Sequence, residues 1–189
     1  MLGAAGMYVA YYEGEDQIAR VFLKKPDWLV AVFNAAGKDS AEASVYLLDG
    51  HLNCDCSVRV FEPSILADKL HFGSVSGNFM LEGPREYVAQ SLDGCPHYVG
   101  KTFDLMIDTE SLKGCPQVVM ADFRCDKAKS LVSYSGAPSY VKGMFYTPFR
   151  REPNGEFDDA VASLAAVGCD NFYPPWLQVA IDEKRREKA

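Results

Sequence analysis

The arrangement in this chain that most invites a chemical reading is Cys95-Pro96-His97, a thiol and an imidazole two residues apart. A thiolate nucleophile needs an imidazole within hydrogen-bond reach, about 3 Å, and donors for a developing oxyanion. Residues i and i+2 of an extended segment share a face, but their side-chain ends rarely converge that closely. The phrase also recurs as Gly114-Cys115-Pro116-Gln117, without a histidine, so turn geometry alone accounts for the cysteine. The catalytic residues therefore stay open, with Cys95 and His97 as the candidates.

A second group, His51, Cys54 and Cys56, has the look of metal-ligand spacing. The pleat of a strand argues against it, because Cys54 and Cys56 alternate onto one face with Leu52, Val58 and Val60, and His51 falls on the other. Structural zinc takes four ligands, usually in paired short spacings, and no second cluster accompanies these. With His51, His71 and His97 as its three histidines, and His71 reading as a helix-end residue, the chain is expected to hold neither a metal nor a cofactor. Phosphate-binding glycine loops, His-Glu-x-x-His, Gly-x-Ser-x-Gly and zinc-deaminase signatures are all missing from the sequence.

A third group consists of polar residues at strand positions: Arg59, Asp104, Asp122, Arg124, Tyr134 and Tyr146. If the strands curl into a barrel, one face lines an interior, and these side chains would orient a ligand there. If the sheet stays open, they are solvated. Asp122 and Arg124, two apart on one strand, can share a ligand's polar group or pair with neighbours.

The elements that must position these residues are read from period and punctuation. One phrase occurs three times, starting at Gly94, Gly114 and Gly136, with proline two residues later and Tyr-Val or Val-Val closing it. Glycine permits a turn, proline forbids helix at the residue before it, and the β-formers open a strand, so the phrase reads as a strand starter. Met7–Tyr12 and Gln17–Lys24 read as a hairpin, and Trp28–Asn34 as a buried strand. Ser44–Leu48 and a long strand from His51 to Phe61 flank the turn pair Asp49-Gly50. Val75–Leu81, the alternating runs around Phe103–Ile107 and Val119–Cys125, Lys129–Ser135 and Tyr140–Phe149 continue the pattern.

Short helices are expected at about 64–72 and 84–92, and two more after a polar linker near Arg150. Of the last helix, Asp182–Lys188 reads as a charged, solvated tail. The predicted fold class is α+β, dominated by an antiparallel meander of about 8–10 strands, as a curved sheet or barrel, with one or two inserted helices and two C-terminal helices. The predicted organisation is a β-rich domain over 1–149 and a helical extension over 150–189 packed on it. In its many antiparallel strands with a helix inserted mid-chain this loosely resembles calycin-type ligand-binding barrels, a likeness of strand count that implies a ligand held inside the barrel.

The totals narrow the functional classes. The chain has 189 residues, a net charge of -7 and 48% hydrophobic residues, which suits one globular domain. The acidic balance disfavours nucleic acid and anionic membrane surfaces. No apolar run is long enough to span a bilayer, and the N-terminus lacks a basic leader, so reduced cysteines in the cytoplasm are expected. Two functions follow. One is a small-molecule-binding β domain, which as an enzyme would be of lyase or isomerase type. The other is a structural or assembly protein without catalytic activity, acting as a homo-oligomer or as a subunit with a partner.

Overall fold

The return of the Gly-x-Pro phrase after 20 and 22 residues measures one circuit of a coil. The computed structural model describes residues 8–12, 18–22, 45–48, 51–54, 57–60, 63, 66, 71–149 and 158–188. Two antiparallel hairpins come first: β1 (Tyr8–Tyr12) with β2 (Ile18–Phe22), and β3 (Val45–Leu48) with β4 (His51–Cys54). From β4 onward the chain winds as a β-solenoid. After β4 comes β5 (Ser57–Val60). The next circuit holds β6 (Phe72–Val75), β7 (Phe79–Leu81) and β8 (Val88–Ala89), and the one after it β9 (Tyr98–Val99), β10 (Phe103–Leu105) and β11 (Asp108–Thr109). Then follow β12 (Val118–Val119) with β13 (Phe123–Arg124), and β14 (Tyr140–Val141) with β15 (Met144–Tyr146).

Successive strands of one circuit belong to different sheets. The eight-stranded sheet runs β1-β2-β5-β7-β10-β13-β15-β16, where β16 is Asn171–Tyr173; the six-stranded sheet runs β14-β12-β9-β6-β4-β3; β8 and β11 form a third. Apart from the two hairpins, every strand pairing among the described residues is parallel. The expected antiparallel meander or barrel is therefore wrong, and so is the likeness to calycin barrels.

Parity explains the error. Val75 and Phe79, Val99 and Phe103, Val119 and Phe123, and Val141 and Phe145 are each four residues apart, and all eight are buried. An even spacing keeps the inward alternation in phase across a corner, so two short strands on different sheets look like one long strand. The run His51–Phe61 breaks in this way into β4 and β5, and Tyr140–Phe149 into β14 and β15. Over Lys129–Ser135 the structure has a single parallel bridge, Ser133 to Ser111.

The helix expected at 84–92 is also absent. A turn closed by Tyr87 N–H donating to Pro84 O (3.0 Å) leads into β8, where Ala89 registers with Thr109 of the next circuit. Buried Ala89 and Leu92 imitate helical spacing while facing the solenoid interior. The strand expected at Trp28–Asn34, the turn pair Asp49-Gly50, Cys56, most of the helix expected at 64–72 and the linker at 150–155 lie outside the described residues.

What holds the coils together is a stack of like on like. Val58, Phe79, Phe103, Phe123, Phe145 and Phe172 occupy one register position on neighbouring strands. From Phe79 onward their rings follow at centroid separations of 5.9, 5.1, 4.6 and 5.6 Å, which are contact distances worth about 0.5–1.5 kcal/mol per pair beyond simple burial. Across the corner Cys54, Val75, Val99, Val119 and Val141 make a second column, all buried.

The repeated phrase forms the sharpest corner. Gly94, Gly114 and Gly136 have φ of 93°, 85° and 83°, and each turn closes with an N–H to C=O bond of 3.0 Å: Cys95 to Leu92, Cys115 to Leu112, Ala137 to Tyr134. A Cβ at Gly114 would strike the backbone nitrogen of Asp93 and come within 2.6 Å of the Leu92 carbonyl carbon. Both the φ and the seating of one turn on the next thus require glycine.

Helices close the C-terminal end. α1 (Asp158–Ala165) buries Val161 and Leu164, and α2 (Pro175–Glu187) buries Leu177 and Ile181. Of the expected solvated tail, Glu183, Arg186, Glu187 and Lys188 are exposed, but Arg185 is tethered. Arg185 donates to the carbonyls of Ala165 (3.1 Å), Val167 (2.7 Å) and Cys169 (2.9 Å), satisfying carbonyls just past α1, and its guanidinium lies 5.6 Å from the Phe172 ring centroid.

Two outcomes follow. Gly114→Ala is expected to destabilise the fold by more than about 2 kcal/mol, since it adds a strained φ to a backbone clash. A melting curve unchanged by that substitution would show that the turns do not stack as described. Arg185→Ala is expected to cost roughly 1–3 kcal/mol in denaturant unfolding, because charged hydrogen bonds to buried carbonyls are lost; a solvated tail would give no change.

Candidate functional site

Parallel stacking in register also aligns the side chains that point away from the core. On the eight-stranded sheet Arg59, Met80, Asp104, Arg124, Tyr146 and Tyr173 occupy equivalent positions of β5, β7, β10, β13, β15 and β16. With strands about 4.8 Å apart, this row covers roughly 24 Å of the outer face. Of the six residues expected to bind a ligand, Arg59, Asp104, Arg124 and Tyr146 stand in the row. Asp122 stands beside it at the corner before β13. They meet on the outside of the sheet, not around an interior.

The centre of the row is pre-organised. Asp122 accepts the Met144 N–H of the next circuit at Oδ1 (3.0 Å) and Arg124 Nη2 at Oδ2 (3.2 Å), so the backbone of one coil fixes the guanidinium of another. That guanidinium lies 4.7 Å from the Tyr146 ring centroid, and Tyr146 in turn contacts Tyr173 with ring centroids 5.7 Å apart. Partial burial raises the Asp104 carboxyl above its ordinary range, and the neighbouring Arg124 charge opposes the rise. At the far end, Arg59 Nε is 3.9 Å from Glu82 Oε2. The result is a half-buried row of paired charges that ends in two tyrosines.

Tyr134 lies elsewhere. It is buried inside the solenoid, with its ring centroid 6.5 Å from that of Phe145 and 5.4 Å from that of Phe149, and burial raises its pKa strongly. Its place in the series is that of Leu92 and Leu112, two residues before each turn glycine. The repeat was the signal that could have assigned it to the core.

The candidate pair Cys95 and His97 is split by the surface: Cys95 is buried and His97 is exposed. Burial, followed by the nearby Asp93 charge, pushes the Cys95 thiol well above its ordinary range. Cys115 and Cys125 are raised chiefly by burial too, and their thiols donate to the carbonyls of Gly136 (3.0 Å) and Tyr146 (3.1 Å). Such thiols are small core residues with a weak donor, poorly suited to nucleophilic attack.

One juxtaposition escaped sequence reasoning. His51, His71 and His97 line a single groove. Their separations of 20 and 26 residues lie near the repeat length, which was the available clue. Among the described residues no helix is long and apolar enough to cross a membrane. Comparison of the chain with protein families, with curated proteins and with solved structures finds no match.

The burial of these thiols has a direct readout. In the native protein Cys54, Cys95, Cys115, Cys125 and Cys169 should resist alkylation by iodoacetamide at neutral pH and react only after unfolding, as measured by peptide mapping. Rapid native labelling of Cys95 would restore it as a nucleophile.

Proposed function

We propose that this chain is an interaction protein whose solenoid presents the outer face of its eight-stranded sheet to a protein partner. The observation that carries this reading is the division of the residues between inside and outside. Among the described residues the space between the sheets is occupied by stacked phenylalanines, valines and leucines, each almost fully buried, which favours recognition on the outside over a ligand held as in a barrel. Recognition then belongs to the outside, where the row from Arg59 to Tyr173 aligns polar and aromatic side chains in register.

Its composition suits a protein surface. Tyrosine, methionine and arginine are the residue types enriched at interfaces and at their energetic centres, and Met80, Arg124, Tyr146 and Tyr173 supply them in one line. A backbone ladder holds the main chain of the row, so the backbone needs no ordering on binding. The net charge of -7 disfavours a nucleic acid in the same role. Five buried free cysteines agree with a reducing compartment such as the cytoplasm.

A photo-crosslinking residue placed at Tyr173 tests this in the native cell. The expected result is a discrete protein adduct that disappears when Arg124→Ala is added, since loss of a central arginine weakens an interface by roughly 2 kcal/mol or more. The same residue at Val132, which is 82% exposed and away from the row, should give no such adduct. Equal adducts from both positions, or none from Tyr173, would overturn the proposal.

A further inference from the structure

We infer that the partner for the row on the eight-stranded sheet is a second copy of this chain, bound face to face about a two-fold axis that runs along the strands between β10 and β13. This rests on the reading of that face as a protein-binding surface and names its occupant. The observation that carries it is the order of the side chains. Arg59, Met80, Asp104, Arg124, Tyr146 and Tyr173 stand in register on six neighbouring strands. An isologous interface must be complementary to its own reverse, because residue i meets j of the other copy and j meets i. Reversed about its midpoint, this row sets Asp104 against Arg124, Met80 against Tyr146 and Arg59 against Tyr173, and each pairing occurs twice.

All three pairings are favourable. At the centre two carboxylates and two guanidiniums alternate around a square, so each charge has an opposite charge beside it in its own sheet and another across the interface. Further out a thioether meets an aromatic ring, and at the ends a guanidinium meets one. With the axis along the row instead, Asp104 would face Asp104 and Arg124 would face Arg124, like charge on like. The order of residue types therefore selects one of these two arrangements.

The central groups suit this role. Asp104 is half-buried, and its carboxyl makes no hydrogen bond or ion pair among the described residues; burial raises it above its ordinary range and the charge of Arg124 opposes the rise. A guanidinium brought from the other copy supplies the charged hydrogen bonds it lacks. Arg124 gives Nη2 to Asp122 and lies 4.7 Å from the Tyr146 ring centroid, so its position is set before association, and a guanidinium has five N–H donors in all. At the ends, a ring stacks on the plane of a guanidinium and leaves the edge donors with the partners they have, so Arg59 keeps Glu82 beside its Nε. Tyr173, 48% exposed, supplies an aromatic surface for the second copy to cover.

Analytical ultracentrifugation of the full chain and of two charge reversals tests the assignment. The unaltered chain is expected to form dimers. Asp104→Arg and Arg124→Asp should each weaken the dimer about thirtyfold or more, because like charges then face one another. Mixed together, the two variants should restore it, since one copy presents two arginines at the central positions and the other two aspartates. A monomeric unaltered chain, folded variants that still dimerise alone, or variants that do not rescue each other would overturn the inference. If either variant fails to fold by circular dichroism, the photo-crosslinking residue at Tyr173 carries the test. Mass spectrometry should then find an adduct of two copies of this chain, joined close to Arg59. An adduct with a different protein overturns this inference and leaves the proposed function standing; no adduct overturns both.

Discussion

A coil of about twenty residues cannot bury its own apolar side chains; only the coils on either side of it can. That constraint governs this structure. Four successive circuits each contribute a valine and a phenylalanine four residues apart, and each is covered by its counterpart from a neighbouring circuit. The rings of Phe79, Phe103, Phe123, Phe145 and Phe172 are in serial contact, so no one of them has a complete environment without the others. The backbone ladder imposes the same dependence, because the N–H groups of each short strand find their acceptors about twenty residues away.

The ends of such a stack need special treatment, and the chain supplies it. At one end the solenoid meets antiparallel hairpins, β1 with β2 and β3 with β4. At the other, α1 and α2 cover Phe172 and the last coil, with Arg185 fastening one helix end to the other. The outward surface follows from the same geometry. Stacking in register turns scattered polar residues into a line, which is how Asp104, Arg124 and Tyr146 become neighbours although 20 and 22 residues separate them. The same stacking gathers three isolated histidines at one corner.

Much of the local structure was legible in the residues. The glycines of the repeated phrase do sit in turns that open strands, the inward alternation of Phe103, Leu105 and Ile107 is correct, and the two N-terminal hairpins and the two C-terminal helices form where their patterns place them. The polar face that carries Arg59, Asp104, Asp122, Arg124 and Tyr146 was recognised as one face. What misled was partner choice. Short connections suggest antiparallel neighbours, yet in a solenoid a short connection turns a corner into another sheet and the true partner lies one circuit on. Tyr134 was placed with the ligand-binding polar face for the same reason, since parity along an imagined strand replaced its equivalence to Leu92 and Leu112.

The sequence by itself determined the alternation of apolar and polar positions within the strands, where the glycine turns fall and the spacing at which they recur, because these depend on local period, on glycine at positive φ and on proline. Only the tertiary structure decided that the strands run parallel, that the polar row lies on the outside of the sheet, and that His51, His71 and His97 line one groove. Those facts depend on register between segments about twenty residues apart. Register is set by the summed contacts of whole coils, and no local run of residues carries that information.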